Sequence, residues 1–263
     1  MPRYWVPEFD VPTGKKDGKG NPTYHLGVHS RVAGRDWRAD WLIGFRKISN
    51  SSNERTVVSF LFPKVGLGDS ANLVLLGNKR YGAVFYANIS SFVMDYVLRC
   101  KFAGTNINYF QFEQLPVLDS SVYGGLVSSK EGLLNRWISD RVLELSYTAH
   151  DMAPFARDLG DDGPPFCWDE ERRAIIRAEL DALFFHLYGI KRDDVDYIME
   201  TFPIVKRKDE EKYGTYRTKD LILEVYDRMA DAGVSLDTPL IDGENFTSDL
   251  TPPPGHGPRH DPA

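Results

Sequence analysis

An amphipathic repeat of aromatic and branched side chains over residues 81–101 constrains the fold more than any other feature of the sequence. Apolar residues recur there at spacings of three and four, which predicts a helix of about twenty residues. Gly104 is expected to stop this helix. The sequence before the helix is rich in turn formers and β-branched residues, whereas the sequence after residue 118 has helical periodicity. We therefore expect an α+β fold.

Short apolar segments that favour strands precede the predicted helix. Residues 3–11 and 23–32 could each form a strand, and the run KKDGKGNP between them fits an exposed hairpin tip. Residues 41–48, 55–62 and 72–76 are rich in aromatic or branched side chains and predict three more strands. Gly66-Leu67-Gly68 precedes a strand rather than a helix, so we interpret it as a plain turn and not as a nucleotide-binding loop.

Downstream of residue 118 the sequence predicts helices over residues 129–150, 193–200 and 218–230. Another helix is expected to begin at Asp169, a suitable N-cap, and to end at Gly189. Beyond Asp237 prolines and glycines dominate, which favours a disordered tail. The expected organisation is a mixed α+β domain with a long helix over residues 1–118, an all-helical domain over 119–235 and a tail over 236–263. The first domain could lack its own beginning.

The cysteines and the hydropathy pattern predict a cytoplasmic protein. Only two cysteines occur, Cys100 and Cys167, and they lie far apart in sequence. The chain does not open with a charged segment followed by an apolar one, as a secretory signal would. It also has no apolar run of about 18 residues, the length needed to cross a bilayer.

Charge is distributed unevenly along the chain. Residues 1–118 carry 15 lysines and arginines against 9 acidic residues, a net charge of +6, whereas residues 119–263 carry 17 against 29, a net charge of −12. A basic half joined to an acidic half suggests that the first half binds a polyanion and the second supports it or contacts another protein. Two ordinary solvated surfaces are the alternative.

Two short strings come near the Asn-Pro-Pro-aromatic motif with which adenine methyltransferases hold a flipped base. Residues 21–24, Asn-Pro-Thr-Tyr, lack the second proline, and residues 162–166, Asp-Gly-Pro-Pro-Phe, have Gly163 where the acceptor side chain is required. His25 and His29 are four residues apart but lie in a glycine-rich context without a partner ligand. We therefore assign no catalytic, cofactor-binding or metal-binding residue.

The remaining polar groups suit DNA binding rather than chemistry. Asn, Thr and Arg side chains can reach base edges, while lysines and helix-end cations suit phosphates. The base-contact candidates are Asn53, Arg55, Thr105, Asn106 and Asn108, and the phosphate-contact candidates are Lys64, Lys79, Arg99 and Lys101. Ordinary loop polarity, with cations favoured at helix ends by the dipole, is the other interpretation.

Three long segments carry a family resemblance. They are WLIGFRKISNSSNERTVVSFLFPKVGLGDSANLVLL at residues 41–76, ANISSFVMDYVLRCKFAGTNINYFQFEQLPVL at 87–118, and residues 139–229. Together they resemble the region that follows the catalytic domain in restriction-modification adenine-specific DNA methyltransferases with a fused specificity domain. The polar turn and the QLPV end also look similar to the recognition domains of type I specificity subunits, a weaker analogy of fold.

The resemblance implies a function in DNA modification. Proteins of that family bind S-adenosylmethionine, flip an adenine and methylate N6, or act with a nuclease in defence against phage. This chain lacks their cofactor loop and catalytic motif, so the resemblance implies a C-terminal piece: a split subunit, a truncated gene product or an excised fragment. We expect it to recognise a sequence in double-stranded DNA while a separate methyltransferase or nuclease polypeptide supplies catalysis. The alternatives are a protein-interaction scaffold, a methyltransferase active by itself, and a gene fragment without function.

Overall fold

The computed structural model describes residues 6–50, 52–101, 104–123, 132–238 and 246–261, which form two antiparallel sheets and ten α-helices. The strands are β1 Val11–Lys16, β2 Pro22–His25, β3 Trp41–Arg46, β4 Ser59–Pro63 and β5 Ala71–Val74. The helices are α1 Val28–Ala33, α2 Gly82–Ser90, α3 Phe92–Lys101, α4 Tyr109–Phe112, α5 Gly132–Ser146, α6 Ala153–Asp158, α7 Glu170–Leu187, α8 Arg192–Glu200, α9 Pro203–Tyr213 and α10 Arg217–Asp231. Short 3-10 turns lie at Lys79–Tyr81, Ser120–Tyr123 and His150–Met152. The mixed α+β fold class is confirmed.

The N-terminal hairpin has its tip where the sequence predicts it. Strands β1 and β2 pair antiparallel, and the Asp17 carboxylate accepts hydrogen bonds from the backbone N–H groups of Lys19 and Asn21, both at 2.8 Å. The second predicted strand of this region is wrong beyond residue 25, because residues 28–33 form α1. Val28 and Val32, four residues apart, place both buried side chains on one helical face.

A three-stranded sheet in the order β4-β3-β5 carries the candidate site. Its central strand β3 is buried from Trp41 to Phe45. Gly44 allows the neighbouring strands to pack closely, since a Cβ there would lie 2.7 Å from the Phe60 ring and 2.9 Å from the Asn72 carbonyl oxygen. All three strands predicted for this part of the chain are confirmed, each shorter than predicted and with ends that differ by up to four residues.

The predicted helix of about twenty residues is two helices, α2 and α3, separated at Ser91, whose backbone is extended. Asp181 of α7 stabilises this break, because its Oδ1 accepts a hydrogen bond of 2.7 Å from the Phe92 N–H at the start of α3. The apolar periodicity runs through the break, so the sequence gives no sign of it. The acceptor comes from a residue 89 positions away.

The C-terminal half is helical, as predicted, around the long helix α7. The Asp169 side chain accepts from the Arg172 N–H at 3.0 Å, which confirms the predicted N-cap, and Gly189 with φ of 64° follows the C-terminal end. Helix α9 was not predicted because its sequence is highly charged. Its boundaries nevertheless carry standard signals, with Pro203 in the first turn and Gly214, φ 79°, at the C-cap.

A single hydrophobic core extends through both halves of the chain. Half-buried hydrogen bonds also join them: Trp41 Nε1 donates to Asp158 Oδ2 at 2.8 Å, and Asn88 Nδ2 donates to the Tyr188 hydroxyl at 2.9 Å. The composition change near residue 118 therefore marks a change of secondary structure and does not separate two cores.

The expectation of a disordered tail is wrong for residues 246–261, which pack against α5 and α7. Arg172, paired with Glu144, donates from Nη1 to the Pro252 carbonyl at 2.7 Å, and the Gly255 N–H donates to Glu144 Oε2 at 2.8 Å. Composition misses this because the prolines supply backbone carbonyls to a buried guanidinium rather than apolar side chains to a core. Residues 239–245, 262 and 263 lie outside the described part of the chain.

Over the described ranges, none of the helices has the length and apolar character needed to cross a bilayer.

Asp181 should make the stability of this protein depend on pH. Burial raises the pKa of its carboxyl to about 6, above the value of about 3.9 expected in the unfolded chain. The folded state therefore holds an extra proton between these pKa values, and this contribution to stability, complete below about pH 4, is lost as the pH rises through about 6. Urea unfolding at several pH values should show a flatter pH dependence for Asp181→Asn, and greater stability than wild type at pH 7 by about 1–3 kcal/mol. Parallel curves for the two proteins would contradict this.

Candidate nucleic-acid interface

The end of β3 and the loop before α4 lie side by side and form one exposed surface. The Ile107 N–H donates to the Lys47 carbonyl at 2.7 Å, the Ser49 N–H donates to the Thr105 carbonyl at 3.0 Å, and Ile48 and Asn106 form an antiparallel bridge. The chain after α3 thus extends the sheet by a few residues, and backbone hydrogen bonds fix its polar side chains relative to β3.

Helix α4 packs against Phe45 of β3. The Phe45 ring stacks on Phe112 with centroids 4.0 Å apart and meets Tyr109 edge-on at 6.0 Å. The Tyr109 hydroxyl also bonds the Leu73 backbone, accepting from N–H at 3.1 Å and donating to the carbonyl at 3.2 Å. Gln111 Oε1 accepts from the Asn108 N–H at 2.9 Å at the helix start. This short helix is therefore rigidly attached to the sheet.

The resulting surface combines amide and hydroxyl groups with exposed rings. Its members share exposure to solvent and a backbone fixed by the contacts above: Ile48, Thr105, Asn106, Asn108, Tyr109 and Phe110, here termed the α4 face. Phe110 is 74% exposed, Ile48 56% and Tyr109 47%. Large apolar side chains at this exposure, grouped with short polar ones, are typical of an interaction surface.

Three cations adjoin the α4 face in sequence. Arg46 is exposed at the end of β3, and Lys47 is half-buried with Nζ 2.8 Å from Asp69 Oδ2. Lys101 is exposed at the end of α3, with Nζ 3.4 Å from the Gln114 carbonyl oxygen. Asn53 is linked to this group through its amide, because the orientation that satisfies all its neighbours turns the side-chain oxygen toward Arg46 Nη2 at 2.9 Å and the Asn50 N–H at 3.1 Å. Four base-contact candidates, Asn53 and the three polar residues of the loop, are therefore connected to this end of β3.

Arg55 and Arg99, in contrast, are held by a buried carboxylate. Asp95 is fully buried and accepts from Arg55 Nε at 2.6 Å, from Arg99 Nε at 3.1 Å and from the Thr56 N–H at 3.0 Å. Arg99 also donates to the carbonyls of Asn53, Glu54 and Thr201 at 2.7–3.2 Å. These bonds occupy both guanidinium groups, so the interpretation of Arg55 as a base contact and of Arg99 as a phosphate contact is replaced by a structural role.

Aromatic rings complete the cluster around Asp95. The Arg55 guanidinium lies 4.0 Å from the Phe92 ring centroid, and Arg99 lies 4.0 Å from that of Phe202. The two rings meet edge-on with centroids 4.8 Å apart. The cluster thereby connects the loop before β4 to α3 and to the junction of α8 with α9.

Lys64 and Lys79 lie at the other end of the sheet. Lys64 pairs with Asp40 at 3.0 Å, and Lys79 pairs at 2.7 Å with Asp158, which also binds the Trp41 indole. Trp41 and Arg46 are the two ends of β3, which at the usual rise are about 17 Å apart. These two lysines therefore belong to a surface distinct from the α4 face, and the structure does not group them with Lys101.

The strings that come near a methyltransferase motif have structural roles. Asn21 closes the hairpin tip, where its Nδ2 donates to Asp17 Oδ2 at 3.2 Å. Phe166 is fully buried beneath the Arg259 guanidinium, 3.8 Å from its ring centroid, and so cannot stack on a flipped base. Gly66 and Gly68 lie between β4 and β5, as the turn interpretation predicts.

The histidines also have structural contacts. His29 stacks on Phe9 with centroids 4.8 Å apart. His186 stacks on Tyr226 at 3.9 Å, its Nε2 lies 2.9 Å from the Tyr226 carbonyl oxygen, and burial lowers its pKa. Within the ranges that the structure describes, no group of three or more His, Cys, Asp or Glu side chains could hold a metal ion.

Sequence reasoning missed Arg46, Lys47, Ile48, Tyr109 and Phe110 as members of this surface. The first three belong to a predicted strand, which suggests burial, and Tyr109 and Phe110 lie just beyond the polar loop Thr105 to Asn108. A signal was present, since Arg46 and Lys47 interrupt an otherwise apolar run. These two charged residues show that the strand becomes exposed at Arg46. They do not show that the loop before α4 lies beside it.

Comparisons with protein-family models, with curated proteins and with solved structures find no match to this chain.

Removing the Asp95 carboxylate should destabilise the fold strongly. Asp95→Ala leaves two partly buried guanidinium groups and the Thr56 N–H without their acceptor, which should cost about 3–5 kcal/mol in the free energy of unfolding. The matched control is Asp69→Ala, because Asp69 is 95% exposed and its pair with Lys47 should contribute no more than about 1 kcal/mol. Urea unfolding of both variants measures the difference. Equal losses would show that the Asp95 cluster is not a major stabilising element.

Proposed function

We propose that this chain recognises a sequence in double-stranded DNA for an adenine modification or restriction system, and that another polypeptide carries out catalysis. The observation that carries the proposal is the α4 face, where short amide and hydroxyl side chains, exposed rings and neighbouring cations occupy one rigidly held surface. The resemblance of residues 41–229 to the part of adenine-specific methyltransferases that follows the catalytic domain supports the same conclusion.

The chemistry of the α4 face suits a DNA groove. Asn106 and Asn108 each offer an amide that can both donate to and accept from a base edge, and Thr105 offers a hydroxyl. Phe110 and Ile48 can contact a thymine methyl group or the face of a partly unstacked base. Base contacts of this kind require a backbone held in one register, which the sheet hydrogen bonds of Ser49 and Ile107 provide.

Arg46 and Lys101 are the cations best placed to bind phosphates beside this face. Both are exposed, and neither forms an ion pair with a residue in the described ranges. Arg46 takes the position that sequence analysis gave to Arg99, and Lys101 keeps its predicted role. The net charge of +6 over residues 1–118 adds a long-range attraction for DNA.

Methyl transfer and S-adenosylmethionine binding are assigned to a partner, because the sequence contains neither the glycine-rich cofactor turn nor the Asn-Pro-Pro-aromatic motif. The acidic C-terminal half is the surface that we propose for this methyltransferase or nuclease polypeptide. A cytoplasmic location fits the two free cysteines. Co-purification with such a partner without any affinity for DNA would instead favour a protein-interaction scaffold.

Binding to duplex DNA should depend steeply on salt. Log K is expected to fall with log salt by about 0.9 for each phosphate contacted, and Lys101→Ala or Arg46→Ala should each reduce the slope by about that amount. Fluorescence anisotropy with a labelled random-sequence duplex pool measures the slopes. The control is Arg136→Ala, an exposed position of α5 outside the α4 face.

Sequence choice is tested on the same protein by selecting bound duplexes from the pool. Asn106→Ala and Phe110→Ala should weaken discrimination against single mismatches in the selected site by about 1–3 kcal/mol while leaving the salt slope unchanged. A flat salt response, or no binding to any duplex at about 50 mM salt, would reject DNA recognition, since phosphate contacts dominate affinity at low salt.

A further inference from the structure

A cavity of about 400 Å³ lies between the junction of α2 and α3, helix α7, and helices α9 and α10. This volume falls in the range of small-molecule sites, about 300–1,000 Å³. Its wall is mainly apolar, formed by residues such as Phe92, Val142, Leu180 and Ile222. Two arginines of α7, Arg173 and Arg177, also line it. The cavity is separate from the α4 face.

Arg173 is buried with hydrogen-bond donors unused. It is only 7% exposed, and its guanidinium stacks 3.6 Å from the Trp168 ring centroid. Nη2 donates to the Leu145 carbonyl at 2.9 Å, but Nε and Nη1 are buried and have no partner among the described residues. Buried polar groups are nearly always hydrogen-bonded, so two unused donors on one charged group call for an acceptor.

Arg177 places a second positive charge one helical turn away. Neither Arg173 nor Arg177 forms an ion pair within the part of the chain that the structure describes. Burial, together with the charge of Arg177, lowers the pKa of Arg173 to about 10. Two like charges four residues apart on a helix repel each other, and an anion bound between them would remove this repulsion.

The acidic groups that line the cavity already have partners of their own. Asp181 accepts from the Phe92 N–H, and Glu54 forms an ion pair with Lys208. Burial raises the pKa of Asp181 to about 6, so its carboxylate is largely ionised at neutral pH, and the nearby charges of Arg55 and Arg177 counter it. The hydrogen-bonding groups left without a partner in this cavity are therefore donors, those of the Arg173 guanidinium.

A second recess of about 410 Å³ shares Arg173 and Arg177 with the first. Its other charged residues are engaged, since Lys212 pairs with Glu170 at 3.3 Å and Arg217 pairs with Glu171. The two arginines thus line both the mainly apolar cavity and the more polar recess. A ligand bound at the two arginines would place its charged group next to them and its apolar part in the first, mainly apolar cavity.

We propose that this cavity binds a small organic anion, a carboxylate or phosphate monoester with an apolar body of about ten non-hydrogen atoms, the size that such a chamber can enclose. Arg173 donates to the anionic group through Nε and Nη1, Arg177 adds a second positive charge, and the apolar body occupies the chamber lined by Phe92 and Leu180. This site goes beyond DNA recognition and does not depend on it.

Calorimetric titration of the full chain with phenyl phosphate, benzoate, benzamide and inorganic phosphate tests the proposal. We expect phenyl phosphate or benzoate to bind with a Kd of about 1 mM or below. Neutral benzamide lacks the charge and inorganic phosphate lacks the apolar body, so each should bind at least about tenfold more weakly. The tighter of the two organic anions identifies the preferred headgroup. Equal binding of benzamide, or no binding of either organic anion at about 10 mM, would overturn the proposal.

The variant Arg173→Met should weaken binding of the organic anion by about tenfold or more. Its melting temperature without ligand should remain at or above that of wild type, because the buried charge that it removes has no partner anion. The control Arg192→Met changes an exposed residue of α8 that lines neither recess and should bind normally. If Arg173→Met fails to fold, Arg177→Met applies the same test. Unchanged binding in the folded variant would overturn the proposal.

Discussion

The buried carboxylate of Asp95 is the interaction on which the arrangement of the sheet and helices depends. It lies on α3 and holds two arginines, Arg55 from the loop before β4 and Arg99 from its own helix. Arg99 in turn reaches the Thr201 carbonyl, so one buried charge joins the N-terminal sheet to the C-terminal helices. A pair of this kind gains little over an apolar replacement, but removing one partner is costly. The Asp95 cluster therefore contributes mainly by specifying how the sheet and the C-terminal helices are arranged.

This arrangement also determines which groups remain free for a partner. With Arg55 and Arg99 bound to Asp95, the cations next to the α4 face are those at the ends of β3 and α3, Arg46 and Lys101. The same cluster holds the backbone of the loop that carries Asn53, because Arg99 Nη2 donates to its carbonyl at 2.7 Å. Arg55 and Arg99 thus hold the loops in place, whereas Arg46 and Lys101 remain exposed.

Local patterns predicted the elements of this fold well, and long-range contacts account for most of the errors. The hairpin tip at Asp17, the strand β3 and the N-cap Asp169 depend on neighbouring residues, which the sequence displays. The break before Phe92 depends on Asp181 of another helix. The roles of Arg55 and Arg99 depend on the Asp95 carboxylate. Periodicity places Asp95 on a helix but does not show that it lies next to these two arginines. For the candidate site, the polar loop at Thr105 to Asn108 was found from sequence, whereas its exposed rings required the packing of α4 on Phe45.

Hydrogen–deuterium exchange with and without a selected DNA duplex tests the central claim most directly. Backbone amides of bound segments exchange more slowly, so the measurement locates the interface without altering any residue. We predict that DNA slows exchange in residues 46–50 and 104–112, which contain the α4 face, and leaves α8 and α10 unchanged. Slower exchange confined to the helical half, with none in those two segments, would contradict the assignment of DNA recognition to this surface.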